Sequence, residues 1–387
     1  MSDAPRTGPI RRRVLEQPTY AFVAIAEVRA RLAAEGRTVI DFTVGEPREE
    51  TPAFIREAAA ESIPVRTSYP PTNGTPELRR SIAGWVARRF GVSLDPDRDL
   101  LATLGSKEAI YSLASVVVEP GHRDLVLVPE PAYPVYVTGA EMAGGEVRTL
   151  PLLEERGFLP DLESLDAETL ERTALLWINY PNNPTGASAP PSFFAQAAAL
   201  ARRHGFWLAS DEAYIDLFGT DPSPSVLEQG LRNVVAFHSL SKRSAMAGFR
   251  SGFLAGDARL VNALRTIRPS QGVATPHFVQ SAATLAWADD EHAAEMRDLY
   301  RRKRILLRRA LEGRGAHVAP SDAGFFLYFR PPGTESVDEC LARLQDLGIL
   351  LIPGDRFGAS GRGWIRMALV PTLEQCEEAA RILEREL

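Results

Sequence analysis

Four short segments hold the side chains best able to do chemistry, and each follows an apolar run. The most telling is Ser239-Leu240-Ser241-Lys242-Arg243-Ser244-Ala245-Met246-Ala247-Gly248-Phe249-Arg250. A lysine becomes a nucleophile toward carbonyl carbon when its surroundings lower its pKa. Here Ser239 and Ser241 precede Lys242 and Arg250 follows eight residues later, offering hydroxyl and guanidinium donors to a phosphate beside an imine. In isolation, Ser-x-Ser-Lys is more commonly a helix start with a solvated lysine. Ser210-Asp211-Glu212-Ala213-Tyr214 places a carboxylate where an apolar strand ends, and Asp211 needs either a cationic partner or a helix to cap. Gly105-Ser106-Lys107-Glu108-Ala109 reads as a glycine turn opening a helix, whose free N–H groups and dipole suit an anion. An ordinary N-cap is the commoner explanation of such a turn. Asn179-Tyr180-Pro181-Asn182-Asn183-Pro184-Thr185-Gly186 carries more amides and prolines than a turn requires. That surplus fits a ligand with oxygen atoms to be fixed.

These segments need a scaffold that brings strand ends together. Seven short apolar runs alternate with helical patterns and predict a largely parallel sheet: Leu100–Thr103, Leu125–Val128, Val147–Leu150, Ala174–Ile178, Phe206–Ala209, Val234–Phe237 and Gly252–Ala255. Most are continuously hydrophobic, as expected when helices cover both faces of the sheet. Open α/β sheets bind ligands outside the carboxyl ends of their strands, which is where the four segments fall. Thr75, Pro76 and Gly91 bracket a helix with a stripe of Leu78, Ile82, Trp85, Val86 and Phe90. Beyond Asp257 the texture changes to a long helical stretch, Ala288 to Leu311, and two strands, Gly324–Phe329 and Gly363–Val370. The expected organisation is a large α/β domain over residues 46–280, with 1–45 and 281–387 forming a smaller α+β domain. A lysine, a carboxylate able to guard a protonated ring nitrogen and an anion cradle together match what pyridoxal phosphate demands of a protein.

Bulk properties narrow the classes. The 387 residues carry a net charge of −6 and a pI near 5.7, which argues against a nucleic-acid surface and for small-molecule partners. Two cysteines, Cys340 and Cys376, are too few for a disulfide framework, and the simplest home is a reducing cytoplasm. Arg11, Arg12 and Arg13 are followed by Val14-Leu15-Glu16-Gln17-Pro18, with no apolar core of a signal peptide, and no run of about 18 apolar residues suits a membrane. Glu291-His292-Ala293-Ala294-Glu295 lacks the second histidine of a zinc motif and reads as a solvated helix face, so no metal is expected.

Taken together, N-Y-P-N-N-P-T-G, S-D-E-A-Y, S-L-S-K-R-x-x-x-x-G-x-R and the late W-I-R resemble the class I/II aminotransferases of the fold-type-I pyridoxal-phosphate family, in order and spacing. The match covers nearly the whole chain. The resemblance implies a seven-stranded, mostly parallel sheet in the large domain. It implies Lys242 as the Schiff-base lysine and later the base at substrate Cα, Asp211 at the pyridine nitrogen, and Asn183 and Tyr214 at the phenolic oxygen. Tyr133 would stack on the ring, while Ser106, Lys107, Ser239, Ser241 and Arg250 hold the phosphate. Arg366 would grip the substrate carboxylate, with Asn183 and Gly45 beside it, Gly45 lying in a strap over the substrate. Tyr69 would reach the phosphate of a neighbouring subunit, which implies a homodimer.

The reaction implied moves an amino group between an amino acid and a 2-oxo acid, with glutamate and 2-oxoglutarate as one pair. The run Ser68 to Arg79 with Gly105 to Ile110 is similar to the branch acting on diaminopimelate precursors, the succinyldiaminopimelate transaminases. Aspartate or broad-range aminotransferases, and C–S β-lyases, are the alternatives. Glu46, Tyr20, Asn73 and Phe325 or Phe326 are the candidates for side-chain selection. A cofactor-binding regulator would need a DNA-binding module, for which the residues before Gly45 are too few and too little basic.

Overall fold

The computed structural model describes residues 10, 12–15, 29, 31–32, 34–321 and 323–387. In chain order its strands begin with β1 (Ile40–Asp41), β2 (Leu100–Thr103), β3 (Leu125–Glu130) and β4 (Glu146–Pro151). Then come β5 (Thr173–Asn179), β6 (Trp207–Asp211), β7 (Val234–Ser239) and β8 (Gly252–Gly256). The last five are β9 (His317–Val318), β10 (Phe326–Arg330), β11 (Ile349–Leu350), β12 (Ile352–Pro353) and β13 (Ile365–Ala368). Every apolar run read from the sequence lies within one of β2 to β8 apart from Phe206, one residue ahead of β6. These seven make one sheet in the order β2-β8-β7-β6-β5-β3-β4. β8 runs antiparallel to both neighbours and the remaining pairs are parallel.

Alternation along the central strands divides two apolar layers. On β5, Leu176 and Ile178 join Trp85, Phe194 and Trp287 on one face, whereas Leu175 and Trp177 join Leu113, Tyr136 and Leu264 on the other. Edge strand β4 departs from the expected double burial. With a neighbour on one side only, it exposes Glu146, Arg148 and Thr149 and buries Leu150. The helix Pro76–Phe90 has the expected ends: the Thr75 hydroxyl accepts from Leu78 N at 3.3 Å, and Gly91 closes it in the left-handed region at φ 68°.

The second unit is a four-stranded antiparallel sheet, β12-β13-β10-β9, with a separate parallel pair of β1 and β11. Helices Glu291–Glu312 and Leu373–Glu386 help to build its core, in which Tyr300, Leu307, Cys376 and Leu383 join Leu327 of β10 and Ile365 and Met367 of β13. Both cysteines lie buried there as free thiols.

Two expectations are corrected. The helix expected from Ala288 to Leu311 starts at Glu291 and runs to Glu312, and Ala288 instead ends a separate helix, His277–Ala288, across Asp289–Asp290. This separate helix crosses residue 280 without interruption, and its Ala282, Ala283, Ala286 and Trp287 belong to the core of the large sheet. We therefore propose that the division between the units falls after Ala288. His292 is also not solvated: it is buried, its Nε2 lies 2.8 Å from Ser244 Oγ, and its Nδ1 pairs with Asp289. Its charged sequence neighbours give no sign of this, because the ring turns inward from a helix whose other face is polar.

Trp287 ties helix His277–Ala288 to the sheet, with its ring 4.6 Å from Trp85 and 5.0 Å from Phe253, centroid to centroid. Trp287→Ala should cost about 3–5 kcal/mol of folding stability. Urea denaturation should show a lower midpoint with an unchanged slope, and an unmoved midpoint would contradict the packing described.

Candidate active site

A cavity of 1360 Å³ opens at the carboxyl ends of β5, β6 and β7. Its chemistry comes from the last residues of these strands: Asn179 ends β5 and pairs in register with Asp211, which ends β6, while Ser239 ends β7. After Ser239 the chain makes a single helical turn, Leu240–Arg243, capped by the Ser239 hydroxyl accepting from Ser241 N at 3.2 Å. That turn aims Lys242 into the cavity, where its ammonium donates to the carbonyl of Gly45. Burial lowers the Lys242 pKa to about 8; Glu46 resists this, the Arg250 and Arg366 charges assist it, and Asp211 resists it more weakly.

Asp211 is shifted the opposite way. Burial raises its pKa to about 6, held from rising further by the Tyr136 hydroxyl, the Ala213 amide and the charge of Lys242. Tyr136 donates to Oδ2 at 2.7 Å and Ala213 N donates to Oδ1 at 3.1 Å. The next residue, Glu212, faces away, toward buried His238 at 3.3 Å. Burial raises the Glu212 pKa to about 7 and lowers that of His238 to about 3, so this pair lies in the interior without a full ion pair near neutral pH.

Donors for an anion gather on the side where β8 returns antiparallel. Gly105 has φ 72° and opens helix Ser106–Val117, and a Cβ there would lie 2.9 Å from Arg250 Nη2. Arg250 is held by the carbonyls of Leu104 at 3.1 Å and Ala247 at 2.9 Å. The Ser239 hydroxyl donates to Ser241 Oγ at 2.9 Å, and Ser106 lines the same wall. Lys107 contributes differently, with Nζ 5.8 Å from the centre of the Tyr133 ring. Tyr133 in turn meets Tyr136 edge to face at 5.9 Å.

At the other end lies Arg366 on β13, buried rather than in a surface ion pair. It donates to Asn183 Oδ1 at 3.0 Å and to the carbonyl of Thr43, and its guanidinium lies 4.5 Å from the centre of the Phe357 ring. Thr43 and Gly45 belong to the segment after β1. Glu49 fastens that segment to helix Glu291–Glu312, accepting from Tyr300 OH at 2.6 Å and pairing with buried Lys303. Gly45 lies tightly against Phe326, where a Cβ would approach to 3.3 Å.

The cavity thus brings together every site residue expected from the sequence except Tyr69, which is fully exposed on the loop before helix Pro76–Phe90. The asparagine-rich loop is divided in its use. Asn179 Oδ1 accepts from Asn183 N, and Asn182 Oδ1 accepts from Thr185, so two of the three amides brace the loop itself. Asn183 is the one that meets Arg366. Among the candidates for selection, Glu46 lines the cavity, Asn73, Phe325 and Phe326 do not, and Tyr20 lies outside the described residues. Sequence reasoning missed Tyr136 and the rim residues Asp355, Arg356 and Phe357. The available signal for Tyr136 was its spacing, one helical turn after Tyr133.

A buried amine of lowered pKa, a buried carboxylate, a tyrosine face and a cluster of anion donors fit pyridoxal 5′-phosphate group by group and define an enzyme dependent on it. The family model described as aminotransferase class I and II matches residues 37–383, and the chain belongs to that family. It is 37% identical over 376 residues to an LL-diaminopimelate aminotransferase of Nitratidesulfovibrio vulgaris, covering 95% of this chain and 96% of that one. A solved structure of a probable N-succinyldiaminopimelate aminotransferase from Thermus thermophilus superposes with a TM-score of 0.88 at 33% identity, covering 95% of this chain and all of the other. Thermus thermophilus aspartate aminotransferase, solved with maleate, gives a TM-score of 0.89 at 29% identity over 98% of this chain and 100% of that one. The protein is a pyridoxal-phosphate-dependent aminotransferase acting on amino acids and 2-oxo acids.

The lowered pKa of Lys242 has a measurable sign. Below about 8 the amine is mostly protonated and cannot attack an aldehyde. Covalent capture of pyridoxal phosphate by cofactor-free protein should therefore quicken by roughly tenfold per pH unit up to about 8 and then level off. Rapid-mixing absorbance checks this, and Lys242→Ala should abolish the borohydride-stable product; a rate that stays flat across this range would count against a titrating amine.

Proposed function

We propose that the amino donor belongs to the diaminopimelate class, that glutamate and 2-oxoglutarate form the other pair, and that the enzyme serves lysine biosynthesis. The observation carrying this is the run of LL-diaminopimelate aminotransferases at 36–39% identity over nearly the full chain. The cavity supports it. Arg366 is suited to one carboxylate, and exposed Glu46, Lys107, Asp355 and Arg356 offer both signs of charge to a second amino-acid group at the far end of a long substrate.

Bound pyridoxal phosphate supplies an electrophilic aldehyde and an electron-withdrawing ring. Ser106, Ser239, Ser241, Arg250 and the helix start at Lys107 would hold its phosphate, Tyr133 would cover its ring, and Asn183 and Tyr214 would take its phenolic oxygen. Asp211 would pair with the ring nitrogen. Arg366 and Asn183 orient the substrate so that its Cα–H faces Lys242, and Gly45 covers the site from the strap. As a free amine, Lys242 would take the proton from the substrate Cα and hold it for return across the substrate nitrogen. Running the same residues in reverse with a second 2-oxo acid gives ping-pong kinetics.

A homodimer and a cytoplasmic location belong to the same proposal. Ile63, Val65 and Tyr69 are three large exposed side chains on one loop, a surface suited to burial against a second copy in which Tyr69 reaches the partner's phosphate site. Among the described residues, no helix is long and apolar enough to cross a membrane. Sedimentation should give a dimer, and Tyr69→Phe should weaken pyridoxal-phosphate binding about tenfold while the dimer persists. A monomer that turns over at full rate would refute it.

A second reading, an aspartate aminotransferase, is favoured by the Thermus structure solved with maleate. Amino donors assayed against 2-oxoglutarate decide between them. LL-diaminopimelate or its N-succinyl derivative should exceed aspartate in kcat/KM by at least about tenfold, a difference of roughly 1.4 kcal/mol in transition-state binding. Aspartate ranking first would replace the proposal, and release of ammonia and pyruvate from a sulfur amino acid would indicate β-elimination instead.

A further inference from the structure

One hydroxyl in the site has no part in the reaction described above. Tyr136 lies on helix Val135–Met142, beneath the cavity floor and fully buried, with its ring stacked on Trp177 at 4.7 Å and 18°. A buried phenol needs a partner for its O–H, and most core tyrosines find a backbone carbonyl or water. Tyr136 instead donates to Asp211 Oδ2 at 2.7 Å. Burial and the negative charge of Asp211 both oppose loss of the phenolic proton, so the hydroxyl stays a donor and the carboxylate an acceptor.

We infer that Tyr136 is a positioning residue for the reaction: its hydroxyl holds the Asp211 carboxylate ionised and in one orientation for the cofactor's ring nitrogen, while its ring braces Tyr133. With Ala213 N on Oδ1 and Tyr136 on Oδ2, each carboxylate oxygen has one fixed donor, and rotation of the carboxylate breaks both. The lone pairs that remain serve the cavity. The edge-to-face contact of Tyr136 with Tyr133 sets the second wall from the same side chain. The other ionisable groups facing this pair are Lys242, Tyr133 and Tyr214, and only Lys242 carries charge that favours the carboxylate. Without Tyr136, Asp211 would keep its burial and lose its strongest side-chain donor. The inference holds whichever amino acid is the donor.

Tyr136→Phe keeps the ring stack and removes the hydroxyl alone. In cofactor-free protein, the ¹³C carboxyl resonance of Asp211, identified by its absence in Asp211→Asn, should titrate with a midpoint about one pH unit higher in the variant. The dissociation constant of pyridoxal phosphate, read by absorbance near neutral pH, should rise about tenfold. In an Asp211→Asn background the same change should add less than about twofold, because the effect passes through the carboxylate. An unmoved Asp211 midpoint, or a full tenfold loss in the Asp211→Asn background, would overturn the inference; so would a variant that loses thermal stability while Asp211 titrates as before.

Discussion

The site depends on one desolvated space acting on two groups of opposite charge. Burial disfavours the ionised form of any isolated group, so it lowers the pKa of Lys242 and raises that of Asp211. The amine benefits, since a nucleophile and proton carrier must be neutral part of the time. The carboxylate would be lost as a partner for a protonated ring if burial acted unopposed, and the hydrogen bonds from Tyr136 and Ala213 offset it. A polar group behind the cavity floor thus acts on the charge of one that lines it.

The large sheet achieves this by ending its parallel strands at a common edge. Asn179 and Asp211 end β5 and β6 in register, and β7 runs two residues past Phe237, the partner of Asp211, to place Ser239 at the same edge, although 60 residues separate Asn179 from Ser239. The antiparallel return of β8 then carries Arg250 to the glycine turn at Gly105, where the missing side chain leaves room for the guanidinium. The second unit supplies the remaining end through buried Arg366, so under the proposed role of this arginine a substrate carboxylate would link both units.

Much of this was legible in the sequence for a physical reason: buried parallel strands are short, continuous apolar runs, and the polar residues just after them have few structural duties. The seven strands and the residues around Lys242, Asp211 and Gly105 follow this pattern. Less legible was whatever depends on which way a side chain turns. His292 sits among charged residues yet points inward to Ser244. Asn179 and Asn182 resemble ligand amides in composition, but fold back onto their own loop. Tyr136 looks like any core aromatic until its hydroxyl is found on Asp211. Which core the helix before Asp289–Asp290 joins depends on its packing, as with Trp287 against Trp85, and not on its own spacing.

The rim segment carrying Asp355 and Arg356 is held from outside the cavity. Glu130 Oε1 accepts from both N and Oγ of Ser360, Ala132 N donates to the carbonyl of Phe357, and Gly354 N donates to the carbonyl of Trp364. None of these tethers uses the side chains of Asp355 or Arg356, which stay exposed. The two positions can therefore be exchanged for other residue types without loosening the segment or disturbing Lys242 and Asp211, which makes this rim the part of the molecule where new substrate preferences can arise at least cost to the catalytic core.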